Sequence, residues 1–240
     1  GGAGADTLVG GAGNDLFEVT GVGDVVIGGV GDGFDSVSTS LNSYTLGDNF
    51  ENLYFVGTGN FNAVGNQLNN TIVGGAGNDI INGGLGADLM LGGAGNDDIG
   101  VTDAGDAVFE GVGGGVDSVW TSLSNYTLGA NVENLYSVGT GNFTGVGNQL
   151  NNTIVGGAGN DIINGGRGDD LMVGGAGNDI FAFGAVFGND QIVGFDTNPI
   201  GGQDLLNIAA LNITAVNFAG SVNITDVGAD TMISIGGIDS

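Results

Sequence analysis

The chain has no cysteine and no histidine, a single proline (Pro199) and a single basic side chain (Arg167). Without cysteine there are neither disulfides nor thiolate metal sites. Without histidine there is no imidazole general base, and a Ser-His-Asp triad cannot be assembled. One basic residue against 27 Asp and Glu leaves a net charge of −26, which repels nucleic acid and anionic membrane surfaces. No apolar run of about 18 residues is present, so no membrane-spanning helix is expected. The lone proline and the lack of a Gly-X-Y period exclude collagen. A hydrophobic content of 41% argues against plain disorder. The missing cysteines fit an extracellular protein that folds without disulfides.

Glycine is what the chain has in excess, 54 of 240 residues. It falls into a phrase of nine, Gly-Gly-x-Gly-x-Asp-x-U-x, where U is large and apolar. Near-perfect copies occupy 1–9, 10–18, 74–82, 83–91, 92–100, 156–164, 165–173 and 174–182. A longer repeat contains the short one. Tyr44 matches Tyr126, Asn66 matches Asn148 and Asp79 matches Asp161, each at an offset of 82. Three divisions follow: 1–82, 83–164, and 165–240, where the third repeat soon diverges. The chain opens on Gly1 inside a repeat, with no signal-peptide pattern, and reads as a piece of a longer polypeptide.

The U positions keep time even where the nonapeptide loosens. They fall at Leu8, Phe17, Val26, Val37, Leu46, Leu53, Ala63, Ile72, Ile81 and Met90. Nine residues is too long a period for a helix and too regular for loops. It predicts a short strand, x-U-x, after each glycine-rich turn, with U inward and its neighbours outward. Two nonapeptides then make one coil of roughly 18 residues, with one strand in each of two facing parallel sheets. Nine strands per 82 residues is an odd number, so equivalent turns of successive repeats would fall on opposite sides. Beyond Asp179, Phe181–Phe183 and Gln191–Asp196 read as wider strands. Leu205–Leu211 reads as a strand or short helix. Ser221–Thr225 and Thr231–Ile235 flank Asp226–Asp230 as a hairpin that would cap the last edge.

The nonapeptide resembles the repeats-in-toxin (RTX), or haemolysin-type calcium-binding, family. The resemblance implies an all-β fold, a right-handed parallel β-roll (β-solenoid) closed by a C-terminal β cap. That C-terminal region also resembles those of RTX exoproteins and serralysin-type proteases, beside the type I secretion signal. Calcium takes six to eight hard oxygen ligands at about 2.3–2.6 Å. The family implies that each turn is half a site, completed by the turn one coil later, so that several Ca2+ ions are bound. Its carboxylates would be Asp6, Asp15, Asp24, Asp35, Asp79, Asp88, Asp97, Asp106, Asp117, Asp161, Asp170, Asp179 and Asp190. Its backbone carbonyls would come from Gly2, Gly4, Gly11, Gly13, Gly74, Ala76, Gly83, Leu85, Gly93, Gly95, Gly156, Ala158, Gly165, Arg167, Gly175 and Gly177. The expected stacked pairs are Asp6–Asp24, Asp79–Asp97, Asp88–Asp106, Asp161–Asp179 and Asp170–Asp190. Asp15–Asp35 and Asp97–Asp117 would have to accommodate two extra residues each.

A single Asp in a glycine-rich turn reads more naturally as an Asx turn; eight aligned copies favour a cation. Asn70 and Asn152 stand where Asp is expected, and those turns should hold by hydrogen bonding without a metal. Asp103, Asp196, Asp204 and Asp226 read as ordinary loop acids. Trp120, which matches Ser38, should face outward as an isolated surface aromatic or part of a partner patch. Tyr54 and Tyr136 should face outward too, and the Arg167 side chain should be solvated.

A nucleotide site is excluded because Thr7, Leu16 or Ile80 stands where the dinucleotide fingerprint needs glycine. A glycosidase-type acid pair is a poor fit, since every regular Asp repeats one role. The reading is a non-enzymatic calcium-binding module of a secreted, extracellular or cell-surface bacterial protein that leaves by type I secretion and folds outside. Two alternatives stand beside it. One is a surface adhesin, filament or S-layer segment that associates end to end or with surface polymers. The other is the non-catalytic C-terminal part of an exoenzyme. Thr58-Gly-Asn60 and Thr140-Gly-Asn142 are too few to make the threonine rank of an ice-binding solenoid.

Overall fold

The computed structural model describes residues 1–29, 31, 33–196 and 203–211, and the backbone of 222–227 and 230–235. Ser221, the hairpin tip at 228–229 and the chain end at 236–240 lie outside the described residues. Two compact units are present, Gly1–Ser118 and Val119–Ser240. Each is a β-solenoid of short parallel strands.

The first unit holds β1 (Thr7–Val9), β2 (Leu16–Val19), β3 (Val25–Ile27), β4 (Ser36–Thr39), β5 (Ser43–Thr45), β6 (Asn52–Phe55), β7 (Asn62–Val64), β8 (Thr71–Ala76), β9 (Ile80–Asn82), β10 (Leu89–Ala94), β11 (Asp98–Val101) and β12 (Ala107–Phe109). Even-numbered strands β2 to β12 pair in sequence, and so do the odd-numbered strands β5 to β11, while β1 pairs with β3. Alternate strands therefore enter alternate sheets, as the nonapeptide period predicts. The register keeps U over U. Ile72 pairs with Met90 and Ile81 with Ile99, at the 18-residue spacing of two nonapeptides. Where the text is longer, Phe17 still meets Val37; where it is shorter, Val37 still meets Leu53. Extra residues are absorbed in the turns because a one-residue slip would turn every inward side chain outward.

The second unit continues with β13 (Ser118–Thr121), β14 (Asn125–Thr127), β15 (Asn134–Ser137), β16 (Thr144–Val146), β17 (Thr153–Ala158), β18 (Ile162–Asn164), β19 (Leu171–Ala176), β20 (Ile180–Ala182), β21 (Asp190–Val193), β22 (Leu205–Asn207), a 3-10 turn at Ala209–Leu211, β23 (Val222–Val227) and β24 (Asp230–Ile235). The odd strands β13 to β21 form one sheet and the even strands β14 to β22 the other. The run from Leu205 proves to be strand and then helical turn. The hairpin β23–β24 adds antiparallel to β21, so the edge of that parallel sheet is covered as expected of a cap.

Among the described residues nine strands fall within 1–82 and nine within 83–164, the odd number that the sequence period predicts. The core is a file of single inward side chains. Leu53, Ile72, Ile81, Met90 and Ile99 are fully buried in the first unit, as are Leu135, Ile154, Ile163, Met172 and Phe181 in the second. Each such burial stabilises by about 1.5–3 kcal/mol. Small inward residues are compensated by neighbours. Phe61 and Phe143 are buried two places before Ala63 and Gly145, and a Cβ on Gly145 would press on Phe143 and Ile154.

One strand centre differs from the sequence expectation. Tyr44, not Leu46, sits at the middle of β5 and pairs with Ala63. Leu46 follows the strand but remains buried at 4% exposure, so an apolar count finds it first.

Candidate metal sites

The glycines of a turn do two separate jobs. The second and fourth adopt positive φ, as at Gly75 (95°) and Gly77 (108°), a region costly for residues with a Cβ. The first, exemplified by Gly74, has no such φ. A Cβ there would overlap Asp79 Oδ2 and approach the carbonyl oxygen of Gly92 in the next coil. Gly156 stands in the same relation to Asp161 Oδ2 and the carbonyl of Gly174. The missing side chain leaves a small space walled by oxygen acceptors.

The carboxylates form ladders. Oδ1 of each later Asp accepts the backbone N–H of the Asp one coil earlier. Asp24 accepts from Asp6 (3.1 Å), Asp97 from Asp79 (2.7 Å), Asp106 from Asp88 (3.1 Å), Asp179 from Asp161 (2.8 Å) and Asp190 from Asp170 (3.0 Å). Asp35 accepts from Asp15 and Asp117 from Asp97, both at 2.9 Å, so two inserted residues do not break the stacking. All seven expected pairs are brought together, and the contact joining them is N–H to carboxylate.

The other oxygen tells more. Oδ2 of Asp15, Asp79, Asp88, Asp97, Asp161, Asp170 and Asp179 is buried and accepts no hydrogen bond. An ionised carboxylate buried this way is costly unless paired or bound to a metal. The one basic side chain, Arg167, is exposed and cannot neutralise so many acids. Burial accordingly pushes Asp79, Asp170 and Asp179 up to about 6 and Asp190 up to about 7, against the opposing pull of backbone N–H donors. Burial also raises Asp88, Asp97 and Asp161. Asp24 goes the other way. The N–H groups of Asp6 and Gly21 hold its carboxyl below the usual value.

Asn70 and Asn152 show the alternative chemistry. Asn70 Oδ1 accepts from Asn66 N–H (2.8 Å), and its Nδ2 donates to the carbonyl of Phe50 (2.9 Å). Asn152 accepts from Asn148 N–H (2.8 Å) and donates to the carbonyls of Val132 (3.0 Å) and Glu133 (3.1 Å). An amide supplies the proton that a carboxylate lacks, so an oxygen-lined turn is satisfied without a cation. Acceptor facing acceptor, as at Asp79 and the Gly92 carbonyl, is the donor set a hard cation takes. The residues present therefore fit calcium at the Asp turns.

Several contributors escaped the sequence reading. Asp204, expected as a loop acid, is 5% exposed and accepts from the N–H groups of Asp179 and Asp196, both at 2.9 Å. It occupies the next rung above Asp179, hidden by an irregular 25-residue spacing. Glu51 does the same for Asp35, accepting its N–H at 2.7 Å, and no Asp-based pattern could find it. Glu110 is buried, accepts from Gly92 and Gly93 N–H, and is pushed by burial up to about 7. The Gly92 and Gly174 carbonyls, which border the Asp79 and Asp161 spaces, open their nonapeptides and so fall within the first four residues that the family resemblance implies as carbonyl donors. Asp103 accepts from Gly86 N–H (3.2 Å). Trp120 faces outward, but it is not isolated: its ring stacks on Tyr136 at 4.3 Å.

Comparison with known proteins agrees with this geometry. The model of the RTX calcium-binding nonapeptide repeat (4 copies) matches residues 1–19, 64–99 and 146–181. A stretch of 66 residues is 41% identical to part of the endo-1,3-1,4-beta-glycanase ExsH of Rhizobium meliloti (strain 1021); it spans 28% of this chain and 14% of that protein. Among the described residues no helix is long and apolar enough to cross a membrane. The matched stretches, which carry the turns of Asp6, Asp15, Asp79, Asp88, Asp97, Asp161, Asp170 and Asp179, are similar to RTX calcium-binding nonapeptide repeats.

Proposed function

We propose that this chain is a calcium-dependent folding module of a secreted bacterial protein, exported by a type I system and folded outside the cell. The observation that carries the reading is the set of buried Oδ2 atoms without hydrogen bonds, two of which, at Asp79 and Asp161, share their space with a carbonyl of the next coil. Calcium would be held by the Asp carboxylates of stacked turns and the carbonyls beside them, and it would supply the positive charge those spaces lack. In a compartment poor in calcium, a net charge of −26 and the entropy of 54 glycines keep the chain loose. Where calcium is abundant, each ion at 100 times its Kd adds about 2.7 kcal/mol to the folded state. Binding energy becomes folding energy. Far-UV circular dichroism tests this. Above neutral pH, where the buried carboxylates are ionised, the chain should lack β structure in excess chelator and gain it cooperatively as calcium is added. A chain that stays β-rich in excess chelator would sink the proposal.

A second reading is favoured by the stretch shared with a protein named as a glycanase. In it, the repeats are the non-catalytic part of an exoenzyme whose chemistry lies in another domain. This chain alone should then leave a β-1,3-1,4-glucan intact, and hydrolysis by it would refute the non-enzymatic assignment.

A further inference from the structure

We propose that Glu110 joins Asp97 and Asp117 in a three-carboxylate site for a hard divalent cation of calcium's size, between the turns at 92–97 and 110–117. The proposal rests on the calcium reading above and adds a ligand that the nonapeptide does not supply.

One carboxylate oxygen from each of the three residues lies within 4.8 Å of the other two. Asp97 and Asp117 are each 1% exposed and Glu110 is 9% exposed, so bulk water does not dilute their charge. A second observation points into the cluster. Asp97 Oδ1 is used, as the acceptor for Asp79 N–H, but Asp97 Oδ2 is buried and accepts no hydrogen bond. That oxygen and Glu110 Oε1 border the same space, the one a Cβ on Gly92 would fill. Glu110 is aimed there by its own anchors, accepting from Gly92 N–H at 3.0 Å and Gly93 N–H at 3.1 Å. A carboxylate has about four lone-pair sites, so two backbone donors do not preclude a metal. Three carboxylate oxygens this close together suit a hard cation, and calcium takes six to eight oxygen ligands at about 2.3–2.6 Å.

The chain carries its own comparison. Shifted by one 82-residue repeat, Asp97 and Asp117 correspond to Asp15 and Asp35, and Glu110 corresponds to Gly28. The fold tolerates glycine at this place. The glutamate is therefore an addition to a turn that already has its two aspartates, and it brings three like charges together. Three carboxylates around one cation bind more tightly than two, and they favour a trivalent probe over a divalent one more strongly.

Calorimetric Ca2+ titration of the full 240-residue chain at neutral pH tests the assignment, with directly excited Tb3+ luminescence as a second readout. Glu110→Gln should weaken one site by about 10–100-fold and leave the other sites as they are. Glu110→Gly, which reproduces the residue at position 28, should show the same loss while its circular dichroism in calcium stays that of the parent. The tightest Tb3+ phase should disappear in both variants. If both variants keep the parent's calcium affinities and Tb3+ phases, Glu110 only caps the Gly92 and Gly93 N–H groups and the proposal is overturned. If the parent itself binds no calcium, the calcium reading falls and this site falls with it.

Discussion

Replacing Gly74 by alanine separates the two reasons a turn needs glycine. Gly74 does not have a positive φ, so alanine carries no backbone strain there. Its Cβ would instead overlap Asp79 Oδ2 and crowd the Gly92 carbonyl. Either the carboxylate swings away, losing an ion, or the coils separate. Overpacking of this kind costs about 1–3 kcal/mol. Losing one ion held at 100 times its Kd costs about 2.7 kcal/mol instead. By either route about 1–3 kcal/mol is expected for Gly74→Ala in saturating calcium. Gly59→Ala is the control. It meets nothing within 4 Å and has no positive φ, so it should be neutral or stabilising by about 0.4–1 kcal/mol. Urea unfolding in calcium, with calcium titration followed by circular dichroism, measures both. Gly74→Ala should lower the urea midpoint and raise the calcium midpoint. If the two alanine variants behave alike, the space beside Gly74 has no role in holding an ion.

Four other perturbations test separate links. Burial raises Asp79, Asp170 and Asp179 to about 6 and Asp190 to about 7 from an ordinary 3.8. Without calcium these groups contribute stability that is full below about pH 4 and lost as pH rises through 6 and 7. The chelated chain should thus be more folded at pH 5 than at pH 8, while competing protons raise its calcium midpoint at pH 5; equal dichroism at both pH values would contradict this. Asp161→Asn can keep the hydrogen bond from Phe143 N–H (2.8 Å) and gains an amide donor, so calorimetry should find one fewer calcium and a weaker dependence on calcium. The reverse change, Asn152→Asp, removes the donors to the Val132 and Glu133 carbonyls and should cost about 1–3 kcal/mol in urea unfolding. Ile154→Ala empties a fully buried inward position and should cost about 2–5 kcal/mol in thermal unfolding with calcium present.

The architecture was legible because one residue in nine had to be apolar and inward. Ile72, Ile81 and Met90 could be placed from spacing alone, and their pairing follows. The seven Asp pairs were legible for the same reason, even across the two-residue insertions before Asp35 and Asp117. What the spacing could not show was substitution of one acceptor for another. Glu51 and Glu110 reach the turns with a longer side chain, and Asp204 arrives after an irregular loop. Each is set by three-dimensional proximity. Tyr44 was hidden by the more apolar Leu46 two residues on, which is buried without being the strand's inward centre. Trp120 and Tyr136 meet only because β13 and β15 are neighbours, although they lie 16 residues apart in sequence.

Calcium should lie on the buried Asp Oδ2 atoms. Anomalous diffraction from crystals of the chain grown with Ca2+ tests it most directly. Difference peaks are expected beside Asp79 Oδ2 next to the Gly92 carbonyl, beside Asp161 Oδ2 next to the Gly174 carbonyl, and none at Asn70 or Asn152. Peaks confined to exposed acids, or none within about 2.6 Å of those Oδ2 atoms, would contradict it.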